Sequence, residues 1–172
     1  MRKFLVDSML GKLAKELRML GYDALYYRGE NPRELIRLAY EQERVILTRN
    51  AKLKDRSKEG WTILVLQDDP LLQLKELLEQ EIIALSEQTL FSRCLLCNSP
   101  LDRITREEAE GKVPEFIFYE QEEFYRCPDC HRIYWPGSHP KRMQKRIEEI
   151  LGMQGPEQGK RMGPQNIPIL KS

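Results

Sequence analysis

Residues 3–21 read KFLVDSMLGKLAKELRMLG, and this stretch decides the fold of the first half of the chain. Lys3–Val6 is a short β-rich run that predicts a strand ending at Asp7. In residues 9–20, apolar side chains recur at helical spacing, which predicts a helix with one buried side. Gly21 is expected to end that helix, because glycine readily adopts the left-handed backbone of a helix terminus.

The same alternation of strand and helix continues as far as Leu78. Three further runs predict strands, at residues 24–27, 44–48 and 61–66. Asn31-Pro32 predicts the start of a second helix, and Asp68-Asp69-Pro70 predicts the start of a later one. Strands that alternate with helices are typical of an α/β fold whose parallel sheet is buried on both faces.

Polar residues flank these predicted strands. Asp7 ends the first strand, and Asn50 lies just past the third. Asp68 and Asp69 follow the fourth strand, and Asp23 lies in the turn that enters the second. Because such sheets bind ligands at the carboxyl ends of their strands, we expect an acidic edge that holds Mg²⁺ or Mn²⁺. Two such ions can activate a water for attack on a phosphodiester.

Most of these acidic residues also have a plain structural interpretation. Asp68 or Asp69 can cap the following helix, and Asp23 can serve as a turn residue. Asp7 is harder to explain in this way, because a carboxylate after an apolar strand costs free energy unless another group pairs with it.

The four cysteines of the chain stand in two pairs, Cys94-x-x-Cys97 and Cys127-x-x-Cys130. This spacing predicts a four-thiolate zinc ribbon, whose structural ion has no open position for chemistry. Disulfides are one alternative, but the first residues show no long apolar stretch of the kind that a secretory signal carries. A thioredoxin-like redox site is another alternative, and it would explain only one of the two pairs.

Charge and hydropathy restrict the remaining possibilities. The formal net charge is +1, so any surface for nucleic acid must be local. We find no run of about 18 apolar residues and expect no membrane span, and reduced cysteines with many charges favour the cytoplasm. We predict an α/β domain at residues 1–90, a zinc ribbon with a carboxyl-terminal helix at 91–151, and a flexible basic tail at 152–172.

Basic residues lie close to the predicted acidic edge. Lys12, Lys15 and Arg18 recur every three residues on the first helix, which indicates either an RNA-binding side or an ordinary solvated face. Arg49 and Lys52 belong to a group of cations that we interpret as a basic loop after the third strand. RNA phosphates would be attracted to such a rim.

The predicted ribbon offers a second surface for RNA. Arg132 stands close to Tyr134 and Trp135, and arginines with aromatic rings can stack on unpaired bases. The alternative is that the rings fill the small core of the ribbon, and we favour this interpretation for Trp135.

Several separated motifs, in the right order, resemble those of the Mut7-C ribonuclease domain family. They are residues 4–14 (FLVDSMLGKLA), 17–23 (LRMLGYD), 44–49 (RVILTR), 92–98 (SRCLLCN) and 127–139 (CPDCHRIYWPGSH). The resemblance covers residues from about 3 to 151. It implies a PIN-like nuclease fold joined to a zinc ribbon, and it implies a metal-dependent endoribonuclease that acts on RNA.

The chain departs from the family pattern at Asn50, where family members usually carry Asp. Asn offers a neutral oxygen to a metal but lacks the charge that holds Mg²⁺. One hypothesis is therefore an endoribonuclease, with Asp7 and Asp23 holding the ion and Asn50 and Asp68 contributing. The other is an inactive or weakened relative that binds RNA or a ribonucleoprotein such as the ribosome.

Overall fold

The structure is a computed structural model, and it describes residues 2–86 and 89–135. The helix predicted at the carboxyl-terminal end of the 91–151 region and the basic tail predicted at 152–172 lie outside the described residues. The described residues form an α/β half and a cysteine-containing ribbon.

A four-stranded sheet organises the first half. Its strands are β1 (Lys3–Val6), β2 (Asp23–Tyr26), β3 (Val45–Thr48) and β4 (Thr62–Leu64). They lie in the order β2-β1-β3-β4 and are all parallel. The predicted parallel sheet is confirmed, and β1 and β3 form its centre.

Helices cover both faces of this sheet. After a 3-10 turn at Ser8–Leu10, they are α1 (Gly11–Met19), α2 (Pro32–Glu41), α3 (Ala51–Arg56) and α4 (Pro70–Glu79). Asn31 and Asp69 cap α2 and α4 with their side chains, as their sequence signals predict. Gly21 follows α1 with φ 88°, which confirms the predicted left-handed end.

The predicted basic loop after β3 is wrong, because residues 51–56 form α3. Asn50 is its N-cap, and its Oδ1 accepts a hydrogen bond from the Lys52 backbone N–H at 3.1 Å. Leu53 is the buried residue of α3. A single buried residue in a short, highly charged helix gives no periodicity, and for this reason the pattern indicated a loop.

The side chains of β1 alternate across the sheet and anchor two apolar clusters. Phe4 packs with the α1 and α4 cluster that contains Leu17 and Leu74. Leu5 lies in the opposite cluster with Leu35 of α2. Burial on both faces explains why the strands are almost wholly apolar.

The ribbon is a small antiparallel sheet with a helical insertion. Its strands are β5 (Asp102–Ile104), β6 (Phe124–Arg126) and β7 (Ile133–Tyr134), and its insertion carries α5 (Arg106–Ala109) and α6 (Glu115–Glu120). Trp135 is buried with Phe124 and Ile117, which confirms that its ring fills the ribbon core.

The ribbon is joined closely to the α/β half. Phe91, just before the first cysteine pair, is buried in the core of the α/β half, and its N–H donates to the Met19 carbonyl at 2.8 Å. A Cβ at Gly21 would lie 2.1 Å from the Thr89 carbonyl oxygen, so the chain passes Gly21 too closely for any side chain. None of the helices in the described part of the chain is long and apolar enough to cross a membrane.

Candidate active site and cysteine centre

Asp7 lies half-buried at the carboxyl end of the central strand β1. The register pairs Val6 with Leu47, so Asp7 stands beside Thr48 at the end of β3. The Thr48 hydroxyl donates to Asp7 Oδ2 at 2.6 Å, and the Ser8 N–H donates to Asp7 Oδ1 at 2.6 Å. The Asn50 N–H donates to Thr48 Oγ1 at 3.0 Å and so leaves the hydroxyl proton for Asp7. The carboxylate is therefore fixed in place, with lone pairs left for a further ligand.

Asn50 and Asp68 lie at the same end of the sheet as Asp7. Asn50 is exposed and uses its side-chain oxygen as the cap of α3. Asp68 follows β4, is largely exposed, and forms an ion pair with Arg49. Asp69 accepts from the N–H groups of Leu71 and Leu72 and is thus engaged as the cap of α4.

Tyr27 and Glu34 also belong to this edge, and the sequence analysis did not identify them. The Tyr27 hydroxyl donates to Glu34 Oε2 at 2.8 Å. Burial raises the pKa of Tyr27, and the hydrogen bond to Glu34 and the charges of Glu34 and Asp7 raise it further. The carboxylates of Glu34 and Asp7 therefore both raise the pKa of the Tyr27 hydroxyl at the carboxyl end of β2.

Asp23 lies at the opposite end of the sheet. It is the first residue of β2 and pairs with Lys3, whereas Asp7 follows the last residue of β1. Arg44 Nη1 and Nη2 donate to its two oxygens at 2.6 and 3.2 Å, and Asn98 Nδ2 donates at 2.6 Å. The predicted grouping of Asp23 with Asp7 does not occur, because a residue that enters a parallel strand lies at its amino end.

The pKa of Asp23 reflects this structural position. Burial raises the pKa, but the hydrogen bonds from Arg44 and Asn98 and the charge of Arg44 outweigh burial and leave it lowered. Asn98 also accepts a hydrogen bond from the Ala24 N–H at 2.9 Å. Asp23 and Asn98 together hold the first cysteine pair against the start of β2.

Arg18 has a similar structural position. It is 6% exposed, so it does not lie on a solvated helix face with Lys12 and Lys15. Its Nε donates to the Ala24 carbonyl at 2.8 Å, and its Nη1 donates to the carbonyls of Leu95 and Leu96 at 2.8 and 3.0 Å. Arg18 therefore connects α1, β2 and the first cysteine pair.

The other predicted RNA-binding residues are at the surface. Lys12 and Lys15 are exposed on α1 and line a groove between α1, the end of β2, the start of α4 and the first cysteine pair, here called the α1 groove. Lys52 is exposed on α3, Arg49 is half-buried, and Arg132 is exposed in the ribbon. Lys12 and Lys15 thus share a concave surface, and Arg132 belongs to the ribbon.

The four cysteines converge as their spacing predicts. All four sulfur atoms lie within 4.8 Å of one another, and Cys94 Sγ and Cys130 Sγ are 3.8 Å apart. A tetrahedral ion with Zn–S bonds of about 2.3 Å requires sulfurs about 3.8 Å apart. The cluster therefore fits a metal such as zinc. Within residues 2–86 and 89–135, it is the one group of three or more potential ligands so closely spaced.

Hydrogen bonds around Cys94 favour its thiolate form. Burial raises the pKa of the Cys94 thiol, but hydrogen bonds from the Tyr134 hydroxyl and from the Cys97 backbone outweigh burial and lower it to about 7. The Tyr134 oxygen lies 3.0 Å from Cys94 Sγ. Asn98, directly after the first pair, has φ 71°, a left-handed conformation that Asn tolerates.

Comparison with known families identifies the chain's relatives. Residues 2–147 match the model of the Mut7-C RNAse domain. The chain belongs to the Mut7-C RNAse domain family. The resemblance found in the sequence motifs is thereby confirmed, and the Mut7-C match spans both the α/β half and the ribbon. No curated protein and no solved structure matched the chain.

Several residues in the Mut7-C motifs have contacts that sequence alone did not indicate. Thr48 was part of a quoted motif, yet its bond to Asp7 depends on the register of two strands. Arg44 opens the same motif, and its bond to Asp23 connects β3 to β2 across β1. Such partners become visible only once strand order is known.

Proposed function

We propose that this protein is a metal-dependent endoribonuclease that cleaves RNA phosphodiesters at the carboxyl end of its parallel sheet. The observation that carries the proposal is Asp7, a half-buried carboxylate held by Ser8 and Thr48 at the end of the central strand. Ligands of open α/β sheets bind at this end. Membership of an RNAse domain family supports RNA as the substrate.

The donor set at this edge suits a hydrated Mg²⁺ or Mn²⁺ ion. Mg²⁺ commonly uses one or two carboxylates, keeps several waters and takes further oxygens from substrate phosphate. Asp7 would be the main protein ligand, with Asp68 and the Asn50 oxygen as weaker contributors. Such an ion, when bound, would neutralise phosphate charge and lower the pKa of a nearby water.

The chain's own residues would orient the reaction. Thr48 and Ser8 fix the direction of the Asp7 carboxylate, and Lys12, Lys15 and Lys52 would hold the RNA backbone. A water would add to phosphorus, one P–O bond would break, and the leaving oxygen would take up a proton. Asp23 and Arg18 have no part in this proposal, since both are engaged between the two halves.

A second candidate function is RNA or ribonucleoprotein binding without cleavage. Asn50 favours it, because the neutral side chain already uses its oxygen to cap α3. The described acidic residues also form no group of three carboxylates within 4.8 Å. In this case, the surface cations would supply the affinity, and Asp7 would serve only to join the ends of β1 and β3 through its hydrogen bond with Thr48.

We propose zinc as the resident ion of the cysteine centre, in a structural role. Four sulfur ligands complete a tetrahedron and leave no position for substrate. Purified protein should carry about one zinc per chain, and Cys97→Ser should lower this content. A folded ribbon without bound metal would contradict the assignment.

The test of the nuclease proposal is cleavage of a mixed-sequence, single-stranded RNA with Mg²⁺ or Mn²⁺. Cleavage by the wild type that is lost in Asp7→Asn but kept in Asp102→Asn would support it, because Asp102 is exposed in the ribbon. Identical purification of all variants controls for contaminating ribonucleases. Absence of cleavage by the wild type, with gain in Asn50→Asp, would favour the binding protein instead.

A further inference from the structure

The α1 groove begins beside the candidate active site. Its volume is about 540 Å³, and Met9 and Leu10, two and three residues past Asp7, are among the residues that line it. The Tyr26 hydroxyl donates to the Ser8 carbonyl at 2.8 Å and so ties the groove wall to the turn that holds Asp7. A polymer bound at Asp7 could therefore continue directly into this groove.

The charge of the groove suits a phosphate backbone. Lys12, Lys15 and Arg28 are exposed along it, and none forms an ion pair within the part of the chain that the structure describes. Asp68, an acidic residue in the lining, is already paired with Arg49. Unpaired cations in a concave surface attract a polyanion.

Apolar groups lie beside these cations. Leu96, which lies between the first two cysteines, is 47% exposed, and Met9, which also lines the groove, is 62% exposed. Tyr26 adds an aromatic ring, with the Arg28 guanidinium 5.9 Å from its centre. Unpaired bases bind to such surfaces, whereas the bases of a duplex are stacked inside it.

The ribbon supplies one wall of the groove, and buried contacts hold this wall in place. Arg18 donates to the carbonyls of both Leu95 and Leu96. Gly11, on the α1 wall, has no side chain, and a Cβ there would lie 3.1 Å from the Tyr26 ring. The groove is thus built from both halves of the protein.

We propose that the α1 groove binds the unpaired RNA segment next to the phosphodiester held at Asp7. Lys12, Lys15 and Arg28 bind its phosphates, and Leu96 of the ribbon packs against a base. This inference rests on the proposed function for the position of the scissile bond, but RNA binding in the groove is measurable without cleavage. The cysteine centre then has a substrate-binding role, because it positions Leu96.

The experiment measures binding of a short, labelled, single-stranded RNA by fluorescence anisotropy over a range of salt concentrations. No divalent ion is added, and gel analysis afterwards establishes that the RNA is intact. Lys12→Ala and Lys15→Ala should each lower the salt slope by about 0.7, the value for one phosphate contact on a single strand. Leu96→Ala should weaken binding about fivefold at unchanged salt slope, because it removes apolar contact and no charge.

Matched controls lie outside the groove. Lys3→Ala removes an exposed lysine at the amino end of β1, and Leu72→Ala removes a partly exposed leucine on α4. Both should bind RNA as the wild type does. If the groove variants also bind like the wild type, the groove proposal is overturned, whatever the cleavage assay shows.

Two further outcomes separate this inference from the nuclease proposal. RNA binding that depends on the groove residues, without cleavage in Mg²⁺ or Mn²⁺, would support the groove proposal and contradict the nuclease proposal. Cleavage that depends on Asp7 but not on the groove residues would support the nuclease proposal and contradict the groove proposal. Competition by a poly-glutamate peptide as strong as that by unlabelled RNA would overturn the assignment of RNA as the ligand.

Discussion

The α/β half buries Phe4, Leu17 and Leu74 completely between its sheet and helices, whereas the ribbon has a small apolar cluster around Trp135 and a separate cluster of cysteine thiols. The first arrangement is stabilised by removal of apolar surface from water. The second has only small apolar clusters, and a bound ion of the kind proposed above would complete it. The halves therefore share a boundary but should respond to different perturbations.

The boundary between the halves combines the buried Phe91 side chain with a set of polar contacts. Arg18 and Asp23, both from the α/β half, are bonded to the first cysteine pair and to Asn98 beside it. Polar contacts of this kind are directional, so they fix the angle at which the ribbon docks. The α1 groove lies along this boundary, so its shape depends on these contacts as well.

Removal of the metal should have the largest effect and should act on the ribbon first. Apparent free energies of structural zinc binding are about 10–16 kcal/mol, and they contribute directly to folding. A strong chelator should expose Trp135, while the circular dichroism of the α/β half largely persists. Tryptophan fluorescence of the Trp61→Phe variant measures the exposure of Trp135, because Trp135 is then the only tryptophan. Unchanged Trp135 emission after loss of the metal would contradict the claim that the ribbon depends on the metal more than the α/β half does.

Truncation of the apolar core should affect the α/β half by a smaller amount. Leu74→Ala should cost about 2–5 kcal/mol of unfolding free energy, because it leaves a cavity in a fully buried site. Leu72→Ala, on the same helix but 39% exposed, is the matched control and should cost far less. Urea unfolding followed by circular dichroism measures the free energy of unfolding of each variant. Equal losses in the two variants would contradict the placement of Leu74 in the core.

Arg18→Met tests the boundary itself. It keeps the length of the side chain but leaves the carbonyls of Ala24, Leu95 and Leu96 without their donor. Loss of hydrogen bonds to a charged group costs about 1.5–3 kcal/mol for each partner left unsatisfied, less where water replaces it.

The informative result for Arg18→Met is a change in cooperativity. All proteins in this test carry Trp61→Phe, so that Trp135 is the only tryptophan. With Arg18 present, Trp135 fluorescence and circular dichroism should change together in urea, because the halves are coupled. With Arg18→Met, the two transitions should separate. Lys15→Met, an exposed substitution on the same helix, should leave them coincident. Separate transitions already in the protein that keeps Arg18 would mean that the boundary contributes no coupling.

Local signals in the sequence predicted the parts of the fold that depend on a few neighbouring residues. Gly21, Asn31 and Asp69 end or begin helices through their own backbone or side chain, so their positions were predictable. Asp23 was placed at the wrong end of the sheet. Its position before a strand, in a parallel sheet, already implied the amino end and was the signal that could have corrected this prediction.

Other contacts depend on residues that are distant in sequence. One partner of Asp23 is Asn98, across the boundary between the halves, and no local pattern points to it. The Thr48 bond to Asp7 likewise requires the order of the strands. The cysteine centre was predictable because its chemistry restricts residue type and spacing together, whereas a carboxylate at an edge serves equally as cap, ion pair or ligand.

The smallest expected effect is a pH dependence at the boundary. The folded-state pKa of Asp23 is lowered, so its ionised form is the one that folding favours. The stability that Asp23 contributes is therefore present above its unfolded pKa of about 3.9 and is lost as pH falls through the lower folded value. The effect is small because a side chain with part of its surface in water is screened.

The difference between wild type and Asp23→Asn isolates this contribution from protonation of the cysteine thiolates, which both proteins share. Asn keeps the shape of the side chain but not the charge that meets Arg44 at 2.6 Å. The wild type should be the more stable protein at pH 7, and the two stabilities should converge below about pH 4. Asp102→Asn, in the ribbon, should show no such convergence. Equal stability of the two proteins at pH 7 would mean that the shape of Asp23, and not its charge, holds the first cysteine pair against the sheet.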